Sequence, residues 1–226
     1  MIEKIEQTWA DYFKLPVERI RQPGTTLDIR DQGEWQILWH VTNCHTIVQA
    51  NPQFAAVVQG ILDQHPADYR MTQSDFPNQH EGDKFYYMDQ ATFKPFTAAY
   101  PVRKLSTTDQ AAFDAFIANC PEDDVDTADV SIEHEAALGA FDGDRIIAVS
   151  SSYDWHGFTD LGVLSDPNYR GKGLGKAVVS ALAQYCFEHD DRVICYRHDY
   201  ENLGSQAIAR GLNFTFYMTI ELVKYP

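Results

Sequence analysis

The sequence has few basic residues and no long apolar run. Its 226 residues include 18 Lys and Arg against 33 Asp and Glu, which gives a formal net charge of −15. Nucleic acids and anionic membranes are bound through basic surface, so this balance argues against both as partners of the molecule as a whole. No stretch of ~18 consecutive apolar residues occurs, so we expect no transmembrane helix.

Cysteine is also scarce. The four cysteines, Cys44, Cys120, Cys186 and Cys195, form no C-x-x-C pair. Such a chain does not resemble a disulfide scaffold, so we expect reduced thiols and a cytoplasmic protein. The N-terminus carries acidic residues where a signal peptide would carry basic ones. Hydrophobic residues at 44% and charged residues at 23% are ordinary for a folded globular chain.

The composition changes near the middle of the chain. Residues 1–100 contain four of the 13 glycines, and segment 93–101 carries two prolines at the point of change. We therefore expect a smaller N-terminal α/β domain over 1–100 and a second domain over 101–226. In the first, apolar spacing predicts a helix over 2–14, strands over 34–41, 45–49 and 84–89, and a helix that starts at Asn51-Pro52.

The second domain has more regular patterns. An Asp-Gly pair between apolar runs at 136–141 and 145–151 predicts a hairpin. We expect its helices over 111–118, 121–126, 176–189 and 203–210, and its other strands over 101–105, 159–164, 193–196 and 214–223. The predicted order, β-α-α-β-β-β-α-β-α-β, is a mixed α/β arrangement.

The most informative stretch joins the strand at 159–164 to the helix that follows it. It reads SDPNYRGKGLGK over 165–176 and holds three basic residues and one acid, so its charge is +2 in a chain of −15. Backbone N–H groups at a helix N-terminus have no partner within the helix and attract anions, and glycines let a phosphate approach them. This stretch therefore predicts a polyphosphate site.

Two common phosphate motifs do not fit this stretch. A Walker loop aligned on Gly175 fails at its first glycine and at its hydroxyl residue, and the dinucleotide pattern G-x-G-x-x-G fails at its last glycine. The pattern that fits is R-x-x-G-x-G, formed by Arg170, Gly173 and Gly175.

With this loop between a strand and a long helix, the sequence resembles the GCN5-related N-acetyltransferase (GNAT) superfamily. The segment from Asn202 to Phe214 also looks like the family's N-x-x-A/S…G-F segment before the last strands. The resemblance covers about residues 101–226. It implies a mixed central sheet flanked by helices and splayed between the strands at 159–164 and 193–196, with acyl-CoA in the cleft.

The resemblance also implies which residues hold acetyl-CoA. Backbone groups of Val163 and Leu164 would pair with the pantetheine, amides at 171–176 would hold the pyrophosphate, and Asn202 would bind the pantetheine arm. The implied cofactor-binding set is Val163, Leu164, Arg170, Gly171, Lys172, Gly173, Leu174, Gly175, Lys176, Asn202 and Ser205. An amine would then attack the thioester directly, without an acyl-enzyme.

The resemblance leaves the proton-transfer groups open. The tyrosine that often protonates the CoA thiolate in the family would fall at Ala209. The acid is then another residue, with Tyr200, Tyr217 and Ser205 as candidates, or water, or it is not needed. Candidates for the base near the predicted cleft are Glu133, His134, Asp154, His156 and Asp160, and a water chain competes with them.

Two further clusters have ordinary explanations. The run at 122–135 holds seven acids and no Lys or Arg. Such a run is usually a solvated loop, but in the family this region helps to form the acceptor side, where acids would favour a cationic amine. His40, Cys44 and His45 lie close in sequence without a fourth ligand nearby, so we expect no metal there.

Three hypotheses follow. The first is an acyl-CoA-dependent N-acetyltransferase that acts on a small amine or an amino terminus. The second is a GNAT-like domain that binds acyl-CoA without turnover, as a sensor or scaffold, which Ala209 keeps open. The third makes the chain a tandem GNAT with a degenerate first half, although residues 1–100 contain no R-x-x-G-x-G. The first domain caps the acceptor site or forms a homodimer contact; its sequence does not decide between these roles.

Overall fold

A computed structural model describes residues 1–31 and 35–224, without the side chains of residues 79–81. The helices of this part of the chain are α1 (Ile2–Phe13), α2 (Val17–Ile20), α3 (Pro52–Leu62), α4 (Gln110–Ile117), α5 (Glu122–Ala128), α6 (Leu174–His189) and α7 (Leu203–Gly211). The strands are β1 (Gly24–Ile29), β2 (Trp35–Trp39), β3 (His45–Ala50), β4 (Gln79–Tyr87), β5 (Val102–Lys104), β6 (Ala136–Asp142), β7 (Arg145–Trp155), β8 (Phe158–Ser165), β9 (Ile194–Asp199) and β10 (Thr215–Lys224). None of the helices described is long and apolar enough to span a membrane.

The chain divides into two compact units. The first comprises Met1–Tyr86, Arg197–Asn202 and the residues from Phe216 onward, and the second comprises Tyr87–Tyr196 and Leu203–Thr215. The domains expected at 1–100 and 101–226 remain a prediction. The boundaries of the compact units differ from these domain boundaries, because two segments from the C-terminal part of the chain belong to the first unit.

In the first unit, strands follow the order β1-β3-β2-β10-β4. β1 is parallel to β3, and β2 is antiparallel to both β3 and β10. The predicted helices at 2–14 and from Pro52 are confirmed by α1 and α3, and the strand predictions match β2, β3 and β4. Glu34, the predicted start of β2, lies outside the described residues. The patterns did not predict α2 or β1.

In the second unit, strands follow the order β9-β8-β7-β6-β5. β8 is parallel to β9, whereas the other neighbours are antiparallel, so the sheet is mixed. Helix α6 packs against β5 to β8, α4 contacts β7, and α5 contacts β8. The predicted fold class and the predicted order of elements from 101 onward are confirmed.

The end of β8 is held from both faces of the sheet. Side chains alternate along a strand, so neighbouring residues face opposite layers. Val163 packs with Leu174 and Val178 of α6, and Leu164 packs with Phe113 and Phe116 of α4. The loop that begins after Ser165 therefore leaves a well-anchored strand.

Segment 93–101, where the composition changes, packs against α6 within the second unit. The ring of Phe93 lies 5.4 Å from that of Phe187, measured between centroids. Ala98 and Tyr100 pack on the core cluster that contains Leu174 and Val178. The two prolines thus belong to an extended strap across a helix.

Candidate functional site

A buried aspartate anchors the glycine-rich loop. Asp166 follows β8 and is 0% exposed. Its carboxylate accepts hydrogen bonds from the Asn168 amide at 2.8 Å, from Asn119 Nδ2 at 2.9 Å and from the guanidinium of Arg145. A fourth hydrogen bond comes from Asn168 Nδ2 at 3.1 Å. The carboxylate thus accepts from three residues, which fixes where the chain leaves β8 and turns into the loop.

The loop presents its backbone N–H groups without internal acceptors. Gly171 and Gly173 have φ angles of +78° and +75°, which residues with a Cβ rarely adopt. The first helical bond of α6 joins the Ala177 amide to the Gly173 carbonyl at 3.0 Å. Among the described residues, no acceptor pairs with the N–H groups at 171–176. Such a concave run of donors at a helix N-terminus suits an anion.

Gly175 has a packing role in the same motif. A Cβ at this position would lie 3.0 Å from Ile208 Cδ1 and 3.6 Å from Val163 Cγ2. The missing side chain therefore lets α6 approach both β8 and α7. Gly171 and Gly173 thus shape the loop backbone, and Gly175 lets β8, α6 and α7 meet beside it.

The three basic side chains of the loop have different neighbours. Arg170 Nη2 lies 2.5 Å from Asp124 Oδ2 on α5. The Lys172 ammonium lies 4.3 Å from the centroid of the Tyr169 ring, and the Lys176 ammonium lies 3.6 Å from that of Phe96. Two of the three cations thus rest on aromatic faces, and no carboxylate among the described residues forms an ion pair with either.

Strands β8 and β9 pair at their first residues. The parallel register joins Thr159 with Ile194 and Asp160 with Cys195. The predicted pantetheine-binding residues, Val163 and Leu164, lie further along β8, next to the glycine-rich loop. The implied cofactor residues from 163 to 176 are therefore contiguous in space as well as in sequence.

Among the base candidates, Asp160 lies deepest. It is 3% exposed, and its carboxylate accepts from the Leu161 amide at 3.0 Å, from Tyr153 Oη at 3.2 Å and from Cys195 Sγ at 3.4 Å. At ~3.3 Å per residue, it stands roughly 10 Å before Val163 along β8. The hydroxyl of Tyr153 gives this carboxylate a neighbour that can exchange protons.

Two other base candidates lie at the far end of the β7–β8 hairpin. His156 occupies its turn with a φ of +55°, and it precedes Val163 by roughly 23 Å of extended chain at ~3.3 Å per residue. Asp154 is paired with Arg192 at 2.7 Å. The hairpin therefore places both residues away from the end of β8 that carries the loop.

His134 and Glu133 precede β6. The Nδ1 atom of His134 lies 2.9 Å from Ser151 Oγ, and its ring lies 4.9 Å from the ring of Tyr153. Tyr153 therefore stands next to both His134 and Asp160. Glu133 is exposed.

The remaining predicted residues are divided between the units. Tyr200, Tyr217 and Asn202 belong to the first unit. There, Lys84 lies over the Tyr200 ring at 4.6 Å, Tyr217 donates to the Val41 carbonyl at 2.7 Å, and the Asn202 amide donates to Asp199 at 2.6 Å. Their predicted roles, like those of the other site residues, stay predictions.

Ser205 belongs to the second unit, where it neighbours a tyrosine that the sequence patterns did not single out. Tyr196 on β9 is 1% exposed, and burial raises the pKa of its hydroxyl, an effect that the Ser205 hydroxyl partly offsets. Ala209, the position of the family's tyrosine, is buried on the same helix as Ser205. Side chains alternate along a strand, so Tyr196 and the preceding Cys195 face opposite sides of β9. This alternation is the feature of the sequence that indicates Tyr196 on the side of α7.

His40 and His45 form hydrogen bonds within the first unit. His40 contacts Thr46 Oγ1 at 2.9 Å and Glu221 Oε2 at 2.8 Å, and His45 contacts Thr26 Oγ1 at 3.0 Å. The described residues contain no group of three or more His, Cys, Asp or Glu arranged to hold a metal ion.

Comparisons with known proteins place this site in a family. The model of the Acetyltransferase (GNAT) family matches residues 99–214, just over half of the chain. No curated protein matches. Three solved structures are similar. An acetyltransferase of the GNAT family from Colwellia psychrerythraea is 15% identical, with a TM-score of 0.56 over 81% of this chain and 77% of that chain. A GCN5-related N-acetyltransferase from Kribbella flavida is 16% identical, with a TM-score of 0.51 over 80% and 69%. A functionally unknown conserved protein from Staphylococcus epidermidis is 8% identical, with a TM-score of 0.51 over 76% and 78%.

At these identities the solved structures carry the fold alone, and they agree with the mixed sheet flanked by helices. The family model carries the assignment, because its matched range contains β8, the glycine-rich loop, α6 and α7. The chain belongs to the GNAT family of acetyltransferases.

Proposed function

We propose that the protein transfers the acetyl group of acetyl-CoA to a primary amine of a small molecule or an amino terminus. The observation that carries this proposal is the loop at 171–176, whose amides have no acceptor among the described residues and whose flanks are basic, within the family-matched range. In this reaction the amine nitrogen attacks the thioester carbonyl, the C–S bond breaks, the thiolate gains a proton and the nitrogen loses one.

In this proposal the loop binds the pyrophosphate of acetyl-CoA. The amides at 171–176 donate to phosphate oxygens, while Arg170, Lys172 and Lys176 supply positive charge at the rim. The backbone of Val163 and Leu164 pairs with the pantetheine, and Asn202 and Ser205 bind its arm. Asp166 holds the loop in shape, as its hydrogen bonds from Asn119, Arg145 and Asn168 suggest.

The experiment that tests the proposal measures free thiol released from acetyl-CoA in the presence of a panel of amines. We expect release with at least one amine, and we expect Gly173→Trp to abolish it, because an indole at this φ of +75° would distort the loop and fill it. Tight binding of acetyl-CoA with no release from any amine would favour the sensor, which the missing tyrosine at Ala209 keeps as the second candidate. The absence of both binding and release would contradict both.

We assign the base to Asp160, with Tyr153 as its hydrogen-bonded neighbour. Asp160→Asn should lower kcat about 100-fold, with a smaller change in the KM of acetyl-CoA, because only proton removal from the amine is lost. Asp154→Asn is the matched control and should retain activity. Equal rates in the two variants would exclude Asp160 and direct attention to His134, then to His156.

We assign the acid to Tyr196 ahead of Tyr200 and Tyr217. Its hydroxyl lies by Ser205 on the helix that carries Ala209, whereas the Tyr217 hydroxyl is bonded to a backbone carbonyl. Tyr196→Phe should lower kcat about tenfold at an unchanged KM for acetyl-CoA. Tyr100→Phe in the same unit is the matched control. An unchanged kcat in Tyr196→Phe would mean that water protonates the thiolate.

The cellular location, the assembly state and the excluded partners of the protein are also proposals. We propose a cytoplasmic location, in agreement with four cysteines that are free thiols, and a homodimer as the assembly state. Neither nucleic acid nor membrane is proposed as a partner, given the net charge of −15. Sedimentation equilibrium tests the assembly, and a monomeric mass at micromolar concentration would contradict the dimer.

A further inference from the structure

We propose that Phe96 is a positioning residue for acetyl-CoA, which holds the ammonium of Lys176 at the rim of the glycine-rich loop. Phe96 precedes the family-matched range of 99–214, so this contact comes from outside the matched region. The inference rests on the proposed function, because it deepens how the pyrophosphate is bound.

The strap at 93–101 fixes Phe96 in place. The Phe96 amide donates to Ser180 Oγ on α6 at 2.8 Å. On either side of it, Phe93 packs on Phe187, and Ala98 and Tyr100 join the core cluster against α6. The ring then lies over the loop, since its Cε1 and Cζ atoms are 3.4 Å from where a Cβ of Gly173 would stand.

Lys176 is held from two sides. Its ammonium lies 3.6 Å from the centroid of the Phe96 ring. On the other side its stem passes over Gly211 of α7, where a Cβ would lie 2.9 Å from Lys176 Cδ. The ring of Phe96 and the absence of a side chain at Gly211 together define where the lysine side chain runs, at the N-terminus of α6.

This placement has a cost that an anion would remove. Lys176 is the third residue of α6, and a cation in the first turn is repelled by the positive end of the helix dipole. The π face of Phe96 offers the ammonium partial compensation while the loop carries no anion. When the pyrophosphate binds, the ammonium is already next to it, so little side-chain entropy is lost on binding.

The first test compares acetyl-CoA binding and turnover in single variants. Phe96→Leu should raise the Kd and KM of acetyl-CoA about two- to fivefold at an unchanged kcat, the range expected for a cation–π contact. Phe96→Trp, which keeps an aromatic face, should restore the wild-type values. Gly211→Ala should raise the Kd as well, because its methyl group meets the lysine stem. Phe141→Leu, at a buried position outside the strap, is the control and should lower Tm without changing the Kd.

A double-mutant cycle makes the test specific to the contact. Lys176→Met alone should raise the Kd about tenfold, as expected for the loss of a charged donor to phosphate. If Phe96 acts through Lys176, Phe96→Leu should add nothing in the Lys176→Met background. Additive effects of the two substitutions would overturn the inference, and so would a Kd in Phe96→Leu equal to that of the wild type.

The ligand series separates this inference from the proposed function. Dephospho-CoA keeps the pyrophosphate, so Phe96→Leu should raise the Kd of dephospho-CoA by the same factor as that of CoA. Pantetheine lacks the pyrophosphate, so its Kd should not change. A loss of the effect with dephospho-CoA would place Lys176 at the 3′-phosphate and overturn the pyrophosphate assignment. If wild-type protein binds none of the CoA compounds, the proposed function fails; if it binds them and Phe96→Leu binds them equally, this inference alone fails.

Discussion

Asp166 is the residue that anchors the glycine-rich loop. It is an acid inside the most basic stretch of the chain, which would weaken an anion site if its charge faced the loop. The structure directs that charge inward, toward Asn119, Arg145 and the Asn168 amide. A fully buried carboxylate that accepts hydrogen bonds from three residues holds the chain in one conformation between β8 and α6.

Substitution of Asp166 should lower both the stability of the fold and the affinity for CoA. Asp166→Asn removes the negative charge facing Arg145 and turns part of the acceptor into a donor, so we expect a loss of about 1–3 kcal/mol in the free energy of unfolding. The Kd of CoA should rise severalfold, because the loop amides lose their alignment. Urea unfolding and calorimetric titration measure the two effects.

The control for this prediction is Asp142→Asn. Asp142 accepts from the Tyr169 hydroxyl at 2.7 Å, next to the loop but outside its backbone. If both variants bind CoA alike, Asp166 does not set the geometry of the loop.

At the scale of elements, helix α5 and the glycine-rich loop are joined by one ion pair. Arg170 of the loop reaches Asp124 of α5, while Asp123 and Asp126 of the same helix are exposed. The acidic run therefore contains acids with different surroundings. Asp124 contacts the predicted cofactor loop, Glu135 is paired with Arg192, and Asp123 and Asp126 face solvent.

Asp124 and the solvent-facing acids should affect different substrates. We propose that the acceptor amine is cationic, so the double variant Asp123→Asn/Asp126→Asn should raise the KM of the amine and leave that of acetyl-CoA unchanged. Asp124→Asn should lower the KM of acetyl-CoA about twofold, since the carboxylate no longer competes with the pyrophosphate for Arg170; the effect is small because exposed ion pairs are weak. Steady-state kinetics with each substrate varied in turn check both.

If the KM of the acceptor is the same in the wild type and the double variant, the hypothesis that these acids attract the acceptor is wrong. A raised KM of acetyl-CoA in Asp124→Asn would show that the carboxylate positions Arg170 instead of competing for it.

For the whole molecule, the excess of acids makes acid pH the critical condition. The sequence pI is about 4.7, so the net charge of −15 at neutral pH falls to zero in mild acid. Some carboxylates are ionised in the fold at lower pH than in the unfolded chain. Asp190 is partly buried, which by itself would raise its pKa, but hydrogen bonds from Arg192 and Thr159 lower it to about 2.

This shift predicts the direction of acid unfolding. A group whose pKa is lowered by folding stabilises the fold above its unfolded value near 3.9, and that contribution disappears as the pH falls to about 2. Asp190→Asn should therefore lower the free energy of unfolding by about 1 kcal/mol at pH 6, allowing for solvent screening, and by much less at pH 2.5. Urea unfolding at the two pH values measures the difference.

A destabilisation of Asp190→Asn that is equal at both pH values would assign the loss to packing instead of charge.

The sequence by itself determined the order of elements after residue 101, the position of the glycine-rich loop between β8 and α6, and the family. These features are local, because helices and strands leave periods of 3.6 and 2 residues, and a phosphate-binding turn needs its glycines and basic residues within one short stretch. For the same reason β1 escaped prediction: its residues do not alternate clearly, and its parallel partner β3 starts 21 positions later in the chain.

Only the tertiary structure decided which side chains accompany that loop. Phe96 meets Ser180 and Lys176 about 80 positions further along the chain, and Asp166 meets Asn119 and Arg145, contacts that leave no repeating pattern in the sequence. It also separated the base candidates, because a hairpin places Asp154 and His156 at its tip and keeps Asp160 inside the sheet. Local periodicity determines where a strand runs, whereas the packing of distant segments determines which residues surround it.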